Sequence, residues 1–173
     1  VSADWTRLVR LHELARGPVT LTLEPDAGQR AKIAYDLGLE TLPSLTATVT
    51  VKPWLDGAEI TGRFEAVVEQ LCGLTLDPFE QPLAGEIEVR AVPPGSPHAR
   101  PEEAGELELD LEAPDPPDLL GEDAVDVAHY VVEHLALAID PFPRKPGAEF
   151  EFTPPAEEES PFAVLKKLKD PKP

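Results

Sequence analysis

Twenty-one prolines in a chain of 173 residues are the tightest constraint on its fold. Each proline fixes φ and removes a backbone donor, so helices and central strands are interrupted wherever one falls. Their placement is uneven: residues 1–90 hold 6 and residues 91–173 hold 15. Long regular elements therefore belong mainly to the first half. Leu, Ile, Val and Phe together make up about 27% of the positions, above the ~20% below which a charged chain cannot bury enough apolar surface to fold.

In that first half the apolar residues recur every second position, the signature of strands with one buried face. Val19, Leu21 and Leu23 alternate with Thr20, Thr22 and Glu24. Leu45, Ala47, Val49 and Val51 alternate with Thr46, Thr48, Thr50 and Lys52. Ile60, Phe64, Ala66 and Val68 follow, and then Leu83, Ile87 and Val89. Asp56-Gly57 lies between the second and third runs as a hairpin signal. Between the first two runs, Ala27, Ala31, Ala34, Tyr35 and Leu37 fall at helical spacing, with Asp26 to cap the start and Gly38 to end it.

Beyond residue 92 the chain changes character. Pro93 to Pro97 reads as a mobile loop. Glu102 to Asp126 carries eleven acids and no Lys or Arg, which reads as a solvated edge and linker. Within it Leu107, Leu109 and Leu111 alternate with acids, as in a short strand at a sheet edge. Val125 to Ile139 is the strongest helix, capped by Asp126 and stopped by Asp140-Pro141-Phe142-Pro143. After a second Pro-rich stretch, Ser160-Pro161 opens a final amphipathic helix with Phe162, Leu165 and Leu168 on one face.

The expected architecture is α+β, an antiparallel β-meander or a partly closed barrel-like sheet with two to three packed helices. A single domain spanning 1–173 is expected: a sheet-rich core over about 5–92, an acidic Pro-rich segment 93–124, a packed helix 125–139, a Pro-rich tail 140–160 and a terminal helix 161–169.

Composition narrows the function. The net charge of -18 opposes general attraction to nucleic acid or to an anionic membrane and favours a basic partner. The chain begins with Val1, as in a processed or trimmed protein, and no secretory segment or membrane span is evident; a cytoplasmic location is expected. One cysteine supports neither an internal disulfide nor a Cys-based zinc site. His129 and His134, five apart, point roughly 140° apart on a helix and do not converge on one ion. No phosphate loop, nucleophile elbow or His-Glu-x-x-His pattern is present, so neither catalysis nor a cofactor, metal or small-molecule substrate is expected. Cys72 reads as a small buried residue at a strand end. The bases cluster as Arg144 with Lys145, and as Lys166, Lys167, Lys169 and Lys172. These are candidate phosphate contacts, or else lysines that suit a helix C-terminus and offset an acidic surface.

Several pieces, in this order, resemble the YceD-type family, the large ribosomal RNA subunit accumulation proteins of bacteria and plastids. They are Cys72-Gly73-Leu74-Thr75-Leu76-Asp77-Pro78-Phe79, the acidic stretch into Asp126, and the helix carrying Glu133 and Leu135. Asp140-Pro141-Phe142-Pro143-Arg144-Lys145-Pro146-Gly147 and the closing Pro161-Phe162-Ala163-Val164-Leu165-Lys166-Lys167-Leu168-Lys169 complete the set. The likeness spans almost the whole chain, and the segment after the helix is most similar to the alphaproteobacterial branch. It implies a non-enzymatic role in accumulation or processing of large-subunit (23S) rRNA. Many members carry Cys-x-x-Cys at the strand end, where this chain has Cys72 and Thr75. A hydroxyl is a poor zinc ligand beside thiolate, so metal binding is not carried over.

Arg144, Lys145, Phe162, Leu165, Lys166, Lys167 and Lys169 are thus the candidate partner-binding or RNA-binding residues. A basic ribosomal or assembly protein is the expected partner, with large-subunit rRNA touched at most through the lysine tail. The alternatives are an acidic protein-binding module unrelated to rRNA, or a hydrolase using scattered carboxylates.

Overall fold

The alternating runs form three long strands that pair in register. In the computed structural model, which describes residues 5–99 and 116–149, these are β3 (Thr41–Trp54), β4 (Gly57–Leu71) and β5 (Pro78–Val92). They follow β1 (Leu8–Arg10), a 3-10 helix (Leu11–Arg16), β2 (Val19–Leu23) and α1 (Ala27–Leu37). After them come β6 (Asp118–Leu119), β7 (Ala124–Asp126) and α2 (Val127–Ala138). The main sheet has the order β2-β3-β4-β5-β6, antiparallel throughout except for the last pair. It stays open, so the meander holds rather than the barrel-like form. The expected strand at 107–111 and the expected helix at 161–169 lie outside the described residues.

Register explains the core. Leu23, Ala47, Phe64 and Gly85 lie in one row across four strands, and Val19, Val51, Ile60 and Val89 in another. On this inner face Val49, Val51, Ile60, Phe64, Val68 and Ile87 are buried, with α1 against β3 and α2 against β5 and β4. Large and small residues alternate so that they interlock. Gly85 makes room for the Phe64 ring, since a Cβ there would come within 2.6 Å of Phe64 Cε1. Gly62 lets two strands approach, because a Cβ would meet the Thr48 carbonyl oxygen at 2.5 Å. On the opposite face Thr20, Thr22, Thr46 and Thr48 meet solvent.

Helix ends follow their sequence signals. Asp26 accepts the Gln29 N–H at 2.9 Å, and Gly38 closes α1 at φ 68°. Of the expected face of α1, Ala34 is buried and Leu37 packs at the edge of the core, but Ile33 joins Ala34 at the centre of the stripe and Tyr35 is 84% exposed. Ile33 offers more apolar area than the alanines and takes the core-facing position. Asp126 caps α2 and also reaches the N-terminal strand: its Oδ1 accepts N–H bonds from Arg7 at 2.9 Å, Ala128 at 3.2 Å and His129 at 3.4 Å. β1 and β7 pair antiparallel beside it as a separate two-stranded sheet that the sequence pattern did not announce. The Pro93–Pro97 stretch is tied rather than loose. Gly95 turns it at φ 80°, and Ser96 Oγ bonds Asp56 Oδ1 at 2.9 Å.

Phe64→Ala empties the centre of the inner face and should destabilise the protein by about 3–5 kcal/mol, read from urea denaturation. Gly85→Ala should also destabilise it, by about 1–3 kcal/mol, because the added carbon collides with that same ring.

Candidate functional site

Two features could carry function, one at each end of α2. The first is a cleft between β6 and the first turns of the helix. It has a volume of about 410 Å³ and its wall includes Asp118, Leu120, Asp126, His129, Tyr130 and Glu133. Tyr130 is buried on the helix face that meets β6. Burial, and then the charge of Asp118, which its hydroxyl bonds, hold the phenol protonated well above its ordinary range. His129 Nε2 lies 3.7 Å from Glu133 Oε2, one helical turn on. The His134 ring turns away, with Nδ1 2.9 Å from the Tyr130 carbonyl oxygen. The two histidines therefore diverge, as their spacing requires. The carboxylates of this wall suit a cationic side chain, since the cleft offers acceptors beside Leu119 and Leu120.

The second feature is a clasp where β4 ends. Cys72 is buried, as expected, but its sulfur is not merely filler. The Lys145 N–H donates to Cys72 Sγ at 3.4 Å, and beside it the Gly73 N–H donates to the Pro143 carbonyl at 2.9 Å. Gln70 Nε2 adds a bond to the Asp140 carbonyl at 3.2 Å, and Lys145 Nζ lies 3.8 Å from Asp77 Oδ2. The segment leaving α2 is thereby stitched to the turn between β4 and β5. The Lys145 amide, followed by the Thr75 hydroxyl and the amides of Leu74 and Thr75, stabilises the thiolate more than burial opposes it. The Cys72 thiol consequently falls to about 7. Thr75 thus serves the sulfur as a hydrogen-bond donor three residues on. Among the described residues no cluster of His, Cys, Asp and Glu is arranged to hold a metal ion.

Among the basic candidates, the structure separates Arg144 from Lys145. Lys145 is engaged with Asp77 and Cys72, whereas Arg144 is exposed and without an ion pair to any described residue. Phe162, Leu165, Lys166, Lys167 and Lys169 lie outside the described residues. A third charged group sits on the open sheet face: Glu59, buried, takes both Lys52 and Arg90, the latter at 3.1 Å and stacked over Trp54 at 5.3 Å. The hydrogen bond from Lys52, and then that from Arg90, hold the Glu59 carboxyl below its usual range. Sequence reading missed Tyr130, Asp118 and Glu59. For Glu59 the available signal was its place opposite Lys52 and Arg90 on neighbouring strands.

A family model described as large ribosomal RNA subunit accumulation protein YceD matches residues 60–169, more than half of the chain. The chain belongs to the YceD family. The match takes in most of β4, then β5, α2, the clasp and Lys166, Lys167 and Lys169, and leaves the first 59 residues outside, a narrower span than the near-complete likeness expected. Membership in the YceD family implies a role in the accumulation of large-subunit rRNA. No curated protein and no solved structure matches the chain. No helix among the described residues is long and apolar enough to cross a membrane.

The clasp makes a pH prediction. An acid whose folded pKa lies below its ordinary value stabilises the fold through its charged form. The contribution of Cys72 is complete above about pH 9, its ordinary value, and is lost as pH falls through about 7. Denaturation midpoints should therefore rise between pH 7 and 9, and Cys72→Ala should remove that part of the rise. Identical pH profiles for the two proteins would show that the sulfur contributes nothing to holding the segment.

Proposed function

We propose that the chain supports accumulation of large-subunit rRNA without catalysing a reaction, by holding a basic ribosomal or assembly protein against its acidic body. The observation that carries this reading is the cleft between β6 and α2, whose lining brings Asp118 and Glu133 together with Leu119 and Leu120. A lysine or arginine side chain entering it would set its stem on Leu120 and its charge among the carboxylates. The net charge of -18 adds long-range attraction for the same class of partner.

RNA contact is confined to the basic end of the chain. Arg144, exposed and without an ion pair to any described residue, would reach a phosphate, and Lys166, Lys167 and Lys169 follow it in sequence. Phe162 and Leu165 would supply the apolar side of that contact or seat it on the partner. Any phosphate held there is bound against the field of an acidic body, so the contact must be local. This role places the protein in the cytoplasm, beside assembling ribosomes.

Two measurements test the reading. Purified protein carrying an affinity tag should recover a basic large-subunit or assembly protein, and Asp118→Lys with Glu133→Lys should reduce recovery by about tenfold. Recovery of no basic protein sinks the proposal. Binding to large-subunit rRNA fragments should weaken steeply with salt, and Lys166→Ala, Lys167→Ala and Lys169→Ala together should flatten that slope by roughly two to three units. Unchanged salt dependence in the triple variant removes the tail from the RNA contact.

A further inference from the structure

Among the described residues, the outer edge of β5 is covered only by the two-residue β6. β6 pairs with it only at Ala91 and Val92. From Pro78 to Arg90 no described strand lies alongside, so a row of backbone N–H and C=O groups faces outward. β5 has 15 residues, long for an unprotected edge, where protective devices are the norm. One such device is present: Pro82 lacks an N–H. The continuous stretch able to accept another strand is therefore Leu83 to Arg90.

The two faces of this stretch differ in chemistry. On the open face Glu86 and Glu88 are exposed, with Glu80 further along. None of the three has an ion pair with a described residue: Lys52 and Arg90 are committed to Glu59, and Arg63, which faces Glu86 across the β4–β5 ladder, forms no ion pair with it. On the inner face Leu83 and Val89 pack against the core yet remain only partly buried at the rim. A strand laid beside β5 would therefore place alternate side chains next to carboxylates and next to uncovered apolar surface.

We propose that the Leu83–Arg90 edge of β5 receives an extended segment of a partner protein in which Lys or Arg alternates with apolar residues. Main-chain bonds would supply the pairing, and Glu86 and Glu88 would select the basic side chains. The other occupants fit worse. A second copy pairing through the same edge would set its own Glu86 and Glu88 among these carboxylates. The chain's Glu106–Glu112 segment, with Glu106, Glu108, Asp110 and Glu112 between its leucines, would add more negative charge to the row. Like charges on neighbouring strands are destabilising. The inference rests on the reading that the partner is basic, and adds how it is held.

The test uses the full chain and a nine-residue peptide alternating Lys and Val, followed by fluorescence anisotropy and amide hydrogen exchange. Binding should slow exchange at outward amides between Leu83 and Arg90. The same peptide N-methylated on alternate residues should bind about tenfold or more weakly, since it keeps its charge but loses its donors. Glu86→Lys with Glu88→Lys should weaken the unmodified peptide to a similar degree, while Glu13→Lys, on the 3-10 helix, should not. Equal binding of the two peptides would mean charge attraction alone and would overturn the proposal. So would protection confined to another part of the chain. Protection of Leu83–Arg90 already present before peptide is added, and unchanged by it, would assign the edge to the chain itself or to a second copy. Failure of the peptide to bind, with recovery of a basic protein by the tagged chain intact, would reject the edge and leave the broader function standing.

Discussion

Three long strands that bury one face and wet the other place one demand on the rest of the molecule: the apolar face has to be covered. β3, β4 and β5 supply Val49, Val51, Ile60, Phe64 and Ile87 to that face, and Val9 and Val125 of the β1–β7 pair join the same core cluster. α1 and α2 cover it from two sides, α1 against β3 and α2 against β5. The hydrophobic term requires both, since burying a large apolar side chain is worth about 1.5–3 kcal/mol while an uncovered one contributes nothing. The apolar character of α2 follows from the same demand. Val127, Ala128, Tyr130, Val131, Val132 and Leu135 are all buried, more than a one-sided amphipathic helix would need.

Where the sequence was legible, one physical regularity dominated over several turns or residues. Period-two alternation located β2 to β5 because each strand has one wet face, and Asp26, Gly38 and Asp126 marked helix ends because each satisfies backbone groups there. What stayed hidden depended on distant parts of the chain meeting. β1 and β7 have three residues each and come from opposite ends of the described fold, and so short a run carries no period. The Cys72 clasp depends on the backbone amide of Lys145, and an amide leaves no mark on residue type. Tyr130 and Asp118 meet only because β6 returns to the end of β5. The basic cluster at 144–145 shows the opposite limit. Grouping by charge put Arg144 and Lys145 together, whereas geometry gives one to the fold and leaves the other to solvent.

Acidity, too, has a distribution with consequences. Carboxylates serve three separate purposes here: neutralising Lys52 and Arg90 at Glu59, capping at Asp26 and Asp126, and lining the cleft beside Tyr130. Among the described residues, Glu59 and the capping Asp26 and Asp126 are already committed, so the net charge overstates what a partner can recognise.

A single oxygen atom of Asp126 joins residues 119 positions apart in the chain, because it takes the Arg7 amide as well as the first turn of α2. Arg7 lies before the region shared with the family, and α2 lies inside it. The stretch that matches the family model is therefore held in part by residues outside it. Its principal helix is anchored by residues from outside it, and its sheet is missing β2, β3 and the cover of α1. A fragment cut at residue 60 would lose β2, α1 and β3 together, and so uncover the apolar face that they enclose in the whole chain.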